Sequence, residues 1–104
     1  MVRLKRIHDE PGPGDGRRIL VDRLWPRGVS KQRADLDLWA KDLAPSHGLR
    51  KAFHAGELDF EDFAARYREE LADADLSPLA GDVTLLTAAK DPGRSHLAVL
   101  RDLL

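Results

Sequence analysis

Two short apolar runs constrain the fold of this chain more than any other feature. Residues 19–21 and the predominantly apolar stretch 83–89 have the length of strands, and their lack of regular polar alternation indicates strands covered on both faces. Between them, residues 59–74 carry apolar side chains at intervals of three, four and seven residues, as an amphipathic helix does. Buried strands combined with amphipathic helices predict an α/β layer fold whose two central strands are parallel.

The remaining elements follow from alternation, capping residues and breakers. Residues 2–7 alternate apolar and basic side chains, which predicts a half-buried strand. Serines at 30, 46 and 95 are suited to cap helices. We predict about four strands, at 2–7, 17–24, 36–41 and 83–89, and about three main helices, at 46–53, 59–74 and from 95 onward, with a short helical turn at 30–34.

Length and composition indicate one small soluble domain over residues 1–104. No apolar stretch approaches the roughly 20 residues needed to span a bilayer, so no membrane partner is expected. With no cysteine and no apolar secretory segment, the expected location is the cytoplasm. We expect no metal and no cofactor, because zinc, EF-hand and dinucleotide-binding motifs are all absent.

Charge is distributed unevenly along the chain. Residues 1–33 contain nine basic and four acidic residues, a net charge of +5, whereas residues 34–104 carry a net charge of -6. In one interpretation the two segments neutralise each other across the fold. In the other, a local positive potential surrounds Arg23 and Arg27 and attracts an anion.

Polar clusters follow three of the predicted strands, where each strand ends. Because the carboxyl ends of parallel strands meet at one edge of a sheet, these clusters are expected to converge on one ligand site. The clusters are Asp22, Arg23, Trp25 and Arg27 after the second strand, Lys41, Asp42 and Ser46 after the third, and Lys90, Asp91 and His96 after the fourth.

Four of these residues are candidates for binding an anion. Arg23 and Arg27 each present a planar fork of donors that suits phosphate or carboxylate, and Lys90 adds a point charge. Ser46 could add a hydroxyl beside free backbone N–H groups at a helix N-terminus. The alternative interpretation is that Arg23 only ties loops together through a carboxylate.

Candidates for catalysis are His96 with Asp22 or Asp42. A histidine oriented by a carboxylate could move a proton near neutral pH, although a histidine that opens a helix is more often a packing residue. Trp25, beside Pro26, could stack on a base or simply bury its indole ring.

Three motifs together resemble a known family. They are LVDRLWPRGVSK at 20–31, LWAKDLAPS at 38–46, and TLLTAAKD at 84–91 followed by His96. In this order they are similar to the YeaO-like family of small bacterial proteins, a domain of unknown function. The resemblance covers nearly the whole chain and implies a bacterial α/β domain, but it implies no activity.

Three functions remain open at this point. The first is binding of a phosphate-bearing small molecule or nucleotide at the strand ends, with group transfer or hydrolysis as an extension. The second is a nucleic-acid-binding module that uses the basic N-terminal third and Trp25. The third is a non-catalytic interaction domain whose charged residues only brace loops. The oligomeric state is not predicted.

Overall fold

A computed structural model describes residues 1–104, and its four strands form one fully parallel sheet. The strands are β1 (Val2–Arg6), β2 (Arg17–Leu20), β3 (Leu38–Trp39) and β4 (Val83–Thr87). Their order across the sheet is β1-β4-β2-β3, so that β4 and β2 are central. The predicted α/β fold with parallel, buried central strands is confirmed.

The helices begin where capping residues predicted them. They are α1 (Lys31–Ala34), α2 (His47–His54), α3 (Phe60–Glu70) and α4 (His96–Leu103), and 3₁₀ turns occupy Lys41–Leu43, Ser77–Leu79 and Pro92–Arg94. In every helix the residue before the first turn accepts a hydrogen bond from a backbone N–H within that turn. No helix is both long and apolar enough to cross a membrane.

All four strands and one helix are shorter than predicted. The N–H of Val21 still donates to Leu86, but at Asp22 the chain leaves the ladder and uses its side chain instead. β3 is reduced to two residues, although Asp37 and Ala40 on either side of it still donate to β2. α3 ends at Glu70 rather than reaching residue 74.

The two faces of the sheet carry separate apolar cores because successive side chains of a strand point to opposite faces. On one face, Ile19 and Leu85 pack with Phe63 and Leu97 under α2, α3 and α4. On the other face, one smaller cluster, to which Val29 and Ala34 contribute, covers Leu20 and Leu86. The helices α2, α3 and α4 therefore form a layer on one face of the sheet.

Much of the basic N-terminal third is neutralised within the fold. Four of its nine cations lie within 4 Å of a carboxylate, in the pairs Arg3–Asp82, Lys5–Asp15, Arg18–Asp15 and Arg33–Glu10. Burial opposes ionisation of Asp15, but hydrogen bonds from Gly12, Lys5 and Arg18 outweigh it, so that the pKa of Asp15 is lowered. Three of these four pairs lie within residues 1–33, and only Arg3–Asp82 joins the two segments, so these contacts do not favour neutralisation of one segment by the other.

Candidate functional site

A cavity of about 530 Å³ lies at the carboxyl ends of β2 and β4, where α2 and the 92–94 turn form its other walls. This volume is within the range of small-molecule sites. In open α/β sheets, ligands bind in the crevice outside the carboxyl ends of the strands, which is where this cavity lies. Its ionisable lining residues are Asp22, Arg23, Arg50, His54, Lys90, Asp91, Arg94 and His96.

Asp22 joins the ends of the two central strands. One carboxylate oxygen accepts the Thr87 hydroxyl at 2.7 Å, and the other accepts the Ala88 N–H at 2.8 Å. His96 Nε2 is 3.4 Å from the first oxygen. Burial raises the pKa of Asp22, but hydrogen bonds from His96, Ala88 and Thr87 lower it further than burial raises it. The ionised carboxylate is consequently engaged on both oxygens by the protein itself.

His96 and Ser95 at the start of α4 are also engaged by the protein. His96 Nε2 donates to the carbonyl of Val21, and its ring lies edge-on to Tyr67 with 6.1 Å between centroids. The Ser95 hydroxyl donates to the carbonyl of Pro92. Since the Thr87 hydroxyl donates to Asp22, neither hydroxyl of the cavity is hydrogen-bonded to an imidazole base. No three His, Asp or Glu side chains form a group that could hold a metal ion.

Arg23 ties two loops together and also lines the cavity. Its Nε donates to the carbonyl of Pro45 at 3.1 Å, and its Nη2 donates to the carbonyl of Ala44 at 2.8 Å. These bonds hold the segment before α2 against the end of β2, and the guanidinium also lines the cavity. The loop tie is made through backbone carbonyls rather than through a carboxylate.

Three further cations surround the opening. Arg50, Lys90 and Arg94 are exposed, line the cavity and have no carboxylate within 4 Å. Asp91, the acidic residue beside them, accepts the N–H of Gly93. With Arg23 included, four cations face two carboxylates across the lining, so the cavity carries a net positive charge when its histidines are neutral.

The structure brings together half of the predicted site residues. Asp22, Arg23, Lys90 and His96 line one cavity, as convergence of parallel strand ends requires. The remaining four candidates do not line it, and they are Trp25, Arg27, Asp42 and Ser46. The roles predicted for all eight residues stay predictions.

Each of the four outlying candidates has an identifiable environment. Trp25 donates its indole N–H to Val29 and packs edge-on against Trp39, as expected for a ring that buries its surface. Ser46 caps α2, and its hydroxyl donates to Glu70. Arg27 and Asp42 are exposed. Because β2 ends at Leu20, the chain has already turned away from the cavity before it reaches residues 25–27.

Sequence reasoning missed four residues of the cavity. Arg50, Phe53 and His54 come from α2, and Arg94 comes from the turn before α4. A signal was present in α2, because residues 50 and 54 are one helical turn apart and therefore share a face. Its significance depended on where α2 packs, which no local pattern indicates.

Comparison with known proteins assigns the chain to a family. The family described as the inactive DUF488-N3 subclade matches residues 1–104. The chain belongs to this DUF488 family. The predicted YeaO-like membership is confirmed by similarity to the uncharacterized protein YeaO of Escherichia coli (strain K12), 43% identical over 110 residues, which cover 99% of the chain and 96% of YeaO. No solved structure matches the chain.

Mycobacterial relatives of this DUF488 chain are similar over the same extent. The uncharacterized protein Rv3073c of Mycobacterium tuberculosis is 45% identical over 109 residues, which cover 99% of the chain and 92% of that protein. An uncharacterized protein of Mycobacterium bovis matches with the same identity and coverage. Similarity along nearly the full length means that these bacterial relatives span the same single domain.

Proposed function

We propose that this protein binds a phosphate-bearing small molecule in the strand-end cavity and does not transform it. The observation that carries the proposal is that Arg50, Lys90 and Arg94 surround a concave cavity without any carboxylate within 4 Å. Guanidinium and ammonium groups donate charged hydrogen bonds to phosphate oxygens. Arg23 presents a fourth cation from the wall.

Binding without catalysis is favoured by what the polar side chains already contact. Asp22 accepts from Thr87 and Ala88, and His96 donates to a backbone carbonyl. A hydroxyl nucleophile would need a neighbouring base to accept its proton. The Ser95 hydroxyl donates to a backbone carbonyl, which is not a base, and the Asp22 carboxylate that accepts from Thr87 is a weak base because its pKa is lowered. The description of the family as inactive supports the same conclusion. Group transfer or hydrolysis by His96 with Asp22 or Asp42 is the alternative.

Isothermal titration of the purified chain with pyrophosphate and with ribose 5-phosphate tests the proposal. We expect Arg50→Ala to weaken binding by about tenfold or more, since one charge-assisted hydrogen bond contributes roughly 1.5 to 3 kcal/mol. Arg27→Ala is the matched control, because Arg27 is also an exposed arginine but does not line the cavity. It should leave the affinity unchanged.

Two results would contradict the proposal. One is the absence of binding heat for inorganic phosphate, pyrophosphate and ribose 5-phosphate alike. The other is equal weakening by Arg50→Ala and Arg27→Ala, which would indicate attraction to the surface charge as a whole. Release of inorganic phosphate from a bound ester, lost in His96→Gln, would instead establish the catalytic alternative.

The other two functions keep their own tests. Nucleic-acid binding by the N-terminal third is less favoured, because four of its nine cations are paired with carboxylates. Binding of a labelled single strand that weakens steeply with salt and with Arg23→Ala would support it. A pure interaction domain predicts that no small ligand raises the melting temperature. The cytoplasmic location stays a prediction.

A further inference from the structure

The cavity has an aromatic side as well as a cationic one. Phe53 of α2 lines it and is half-buried. Its ring stacks on the buried ring of Phe63, with 4.3 Å between the centroids and 17° between the planes. Stacking on a core residue fixes the orientation of the Phe53 ring, so that it offers a rigid apolar surface to a ligand.

Cations and the aromatic ring are presented together. Arg50 and Phe53 are three residues apart on α2, a spacing that places both side chains on one face of the helix. Arg94 belongs to the 92–94 turn, and its guanidinium lies 5.6 Å from the centre of the Phe60 ring, which packs against Phe53. That contact limits the orientations of Arg94 and keeps its charge beside the apolar wall.

An isolated phosphate ion would leave most of this site unused. It could contact the cations, but a cavity of about 530 Å³ would then keep the Phe53 ring and the small side chains of Ala88 and Ala89 in contact with water. A ligand that also covers the apolar wall gains the free energy of removing that surface from water.

We infer that the ligand is a phosphate ester that also carries an aromatic ring, here called an aromatic ester, a class that includes nucleoside monophosphates. Its ring would lie against Phe53, and its phosphate would be held by Arg50, Lys90 and Arg94. A phosphate ester without an aromatic ring would contact only the three cations and not Phe53. This inference rests on the proposed anion-binding function and specifies the second group that the ligand must carry.

Matched ligands separate the two halves of the inference. Isothermal titration compares the four ribonucleoside monophosphates with ribose 5-phosphate, which carries the same phosphate and sugar but no base. We expect at least one nucleotide to bind about tenfold more tightly than ribose 5-phosphate, a typical contribution of stacking on an aromatic side chain. O-phosphotyrosine is included because it carries a ring and a phosphate without ribose. Comparing its affinity with the affinities of the nucleotides shows whether the site prefers a phosphorylated phenol ring or a nucleotide.

A pair of phenylalanine variants tests the ring itself. Phe53→Leu keeps an apolar side chain but removes the platform, and should lower the ratio of aromatic-ester affinity to ribose 5-phosphate affinity about tenfold. Phe60→Leu makes the same change in a ring that packs against Phe53 but does not line the cavity. It also removes the contact with Arg94, which should weaken the binding of every phosphate compound alike, so that ratio should stay unchanged. Thermal unfolding of both variants establishes that they are folded.

The outcomes distinguish this inference from the proposal beneath it. If ribose 5-phosphate binds as tightly as every aromatic ester, the aromatic half is overturned while anion binding stands. If Phe53→Leu leaves the ratio at its wild-type value, the assignment of Phe53 is overturned. If no phosphate compound binds, both are overturned.

Discussion

Replacing Asp22 with asparagine tests whether one carboxylate holds the ends of β2, β4 and α4 together. Asparagine keeps the size and shape of the side chain but removes its charge and one of its two acceptor oxygens. The amide oxygen can accept from Ala88, and its NH₂ group then faces the Thr87 hydroxyl oxygen, whose proton must turn to another acceptor. The attraction to His96, 3.4 Å away, is lost as well.

The expected cost of Asp22→Asn is about 2 kcal/mol of unfolding free energy at neutral pH. A hydrogen bond to an ionised group contributes roughly 1.5 to 3 kcal/mol, and at least one such bond is lost. For a domain of this size that cost corresponds to a fall of roughly 10 °C in melting temperature. Urea unfolding followed by tryptophan fluorescence measures the change, because Trp39 donates its indole N–H to the carbonyl of Asp22.

The pH dependence of the difference identifies its cause. The pKa of Asp22 lies below the ordinary value of 3.8 in the folded state, because its hydrogen bonds outweigh the effect of burial. Its stabilising contribution is therefore complete above the unfolded pKa and is lost as the pH falls through the folded pKa. Asparagine does not titrate, so the gap between the two proteins should be constant from pH 7 to about 5 and should narrow below about 4.

Asp42→Asn is the control, because Asp42 is exposed and its carboxylate accepts no hydrogen bond. It should change the unfolding free energy by less than about 0.5 kcal/mol at any of these pH values. The reasoning fails if Asp22→Asn costs no more than Asp42→Asn at pH 7. It also fails if the gap stays constant down to pH 3.

Two further substitutions test backbone and side-chain packing elsewhere in the fold. Gly16 has φ +62°, and a Cβ there would lie 2.4 Å from the carbonyl oxygen of Asp82, so Gly16→Ala should lower the unfolding free energy in urea by about 2 kcal/mol or more. Gly28→Ala is the control, because Gly28 has φ +79° but nothing within 4 Å of the new Cβ, and it should cost only about 1 kcal/mol. Equal costs for the two variants would contradict the clash. Tyr67→Phe removes the hydroxyl that donates to Leu43 at 2.5 Å and should cost about 1 kcal/mol or slightly more, and an unchanged urea midpoint would show that this bond contributes nothing.

Part of the candidate site could be predicted because parallel strands share one direction. Arg23 and Lys90 each lie three residues beyond the ends of β2 and β4, and residues just beyond the carboxyl ends of adjacent parallel strands must lie near one another. His96 is farther from β4 in sequence and reaches the cavity from the start of α4. The same argument did not hold for Arg27. It is seven residues beyond the end of β2, and over that distance the turns of the loop decide where a side chain goes.

The sequence by itself determined the class of fold and the places where its elements begin. Apolar runs, the 59–74 periodicity and the caps at Ser30, Ser46 and Ser95 are signals between residues close in the chain, and such local preferences persist in the folded protein. Only the tertiary structure decided that α2 carries Arg50 and Phe53 to the strand ends, and that Asp22 meets Thr87, 65 residues away in sequence. The physical reason is that these contacts depend on how the helical layer packs on the sheet, which is a property of the whole core rather than of any segment.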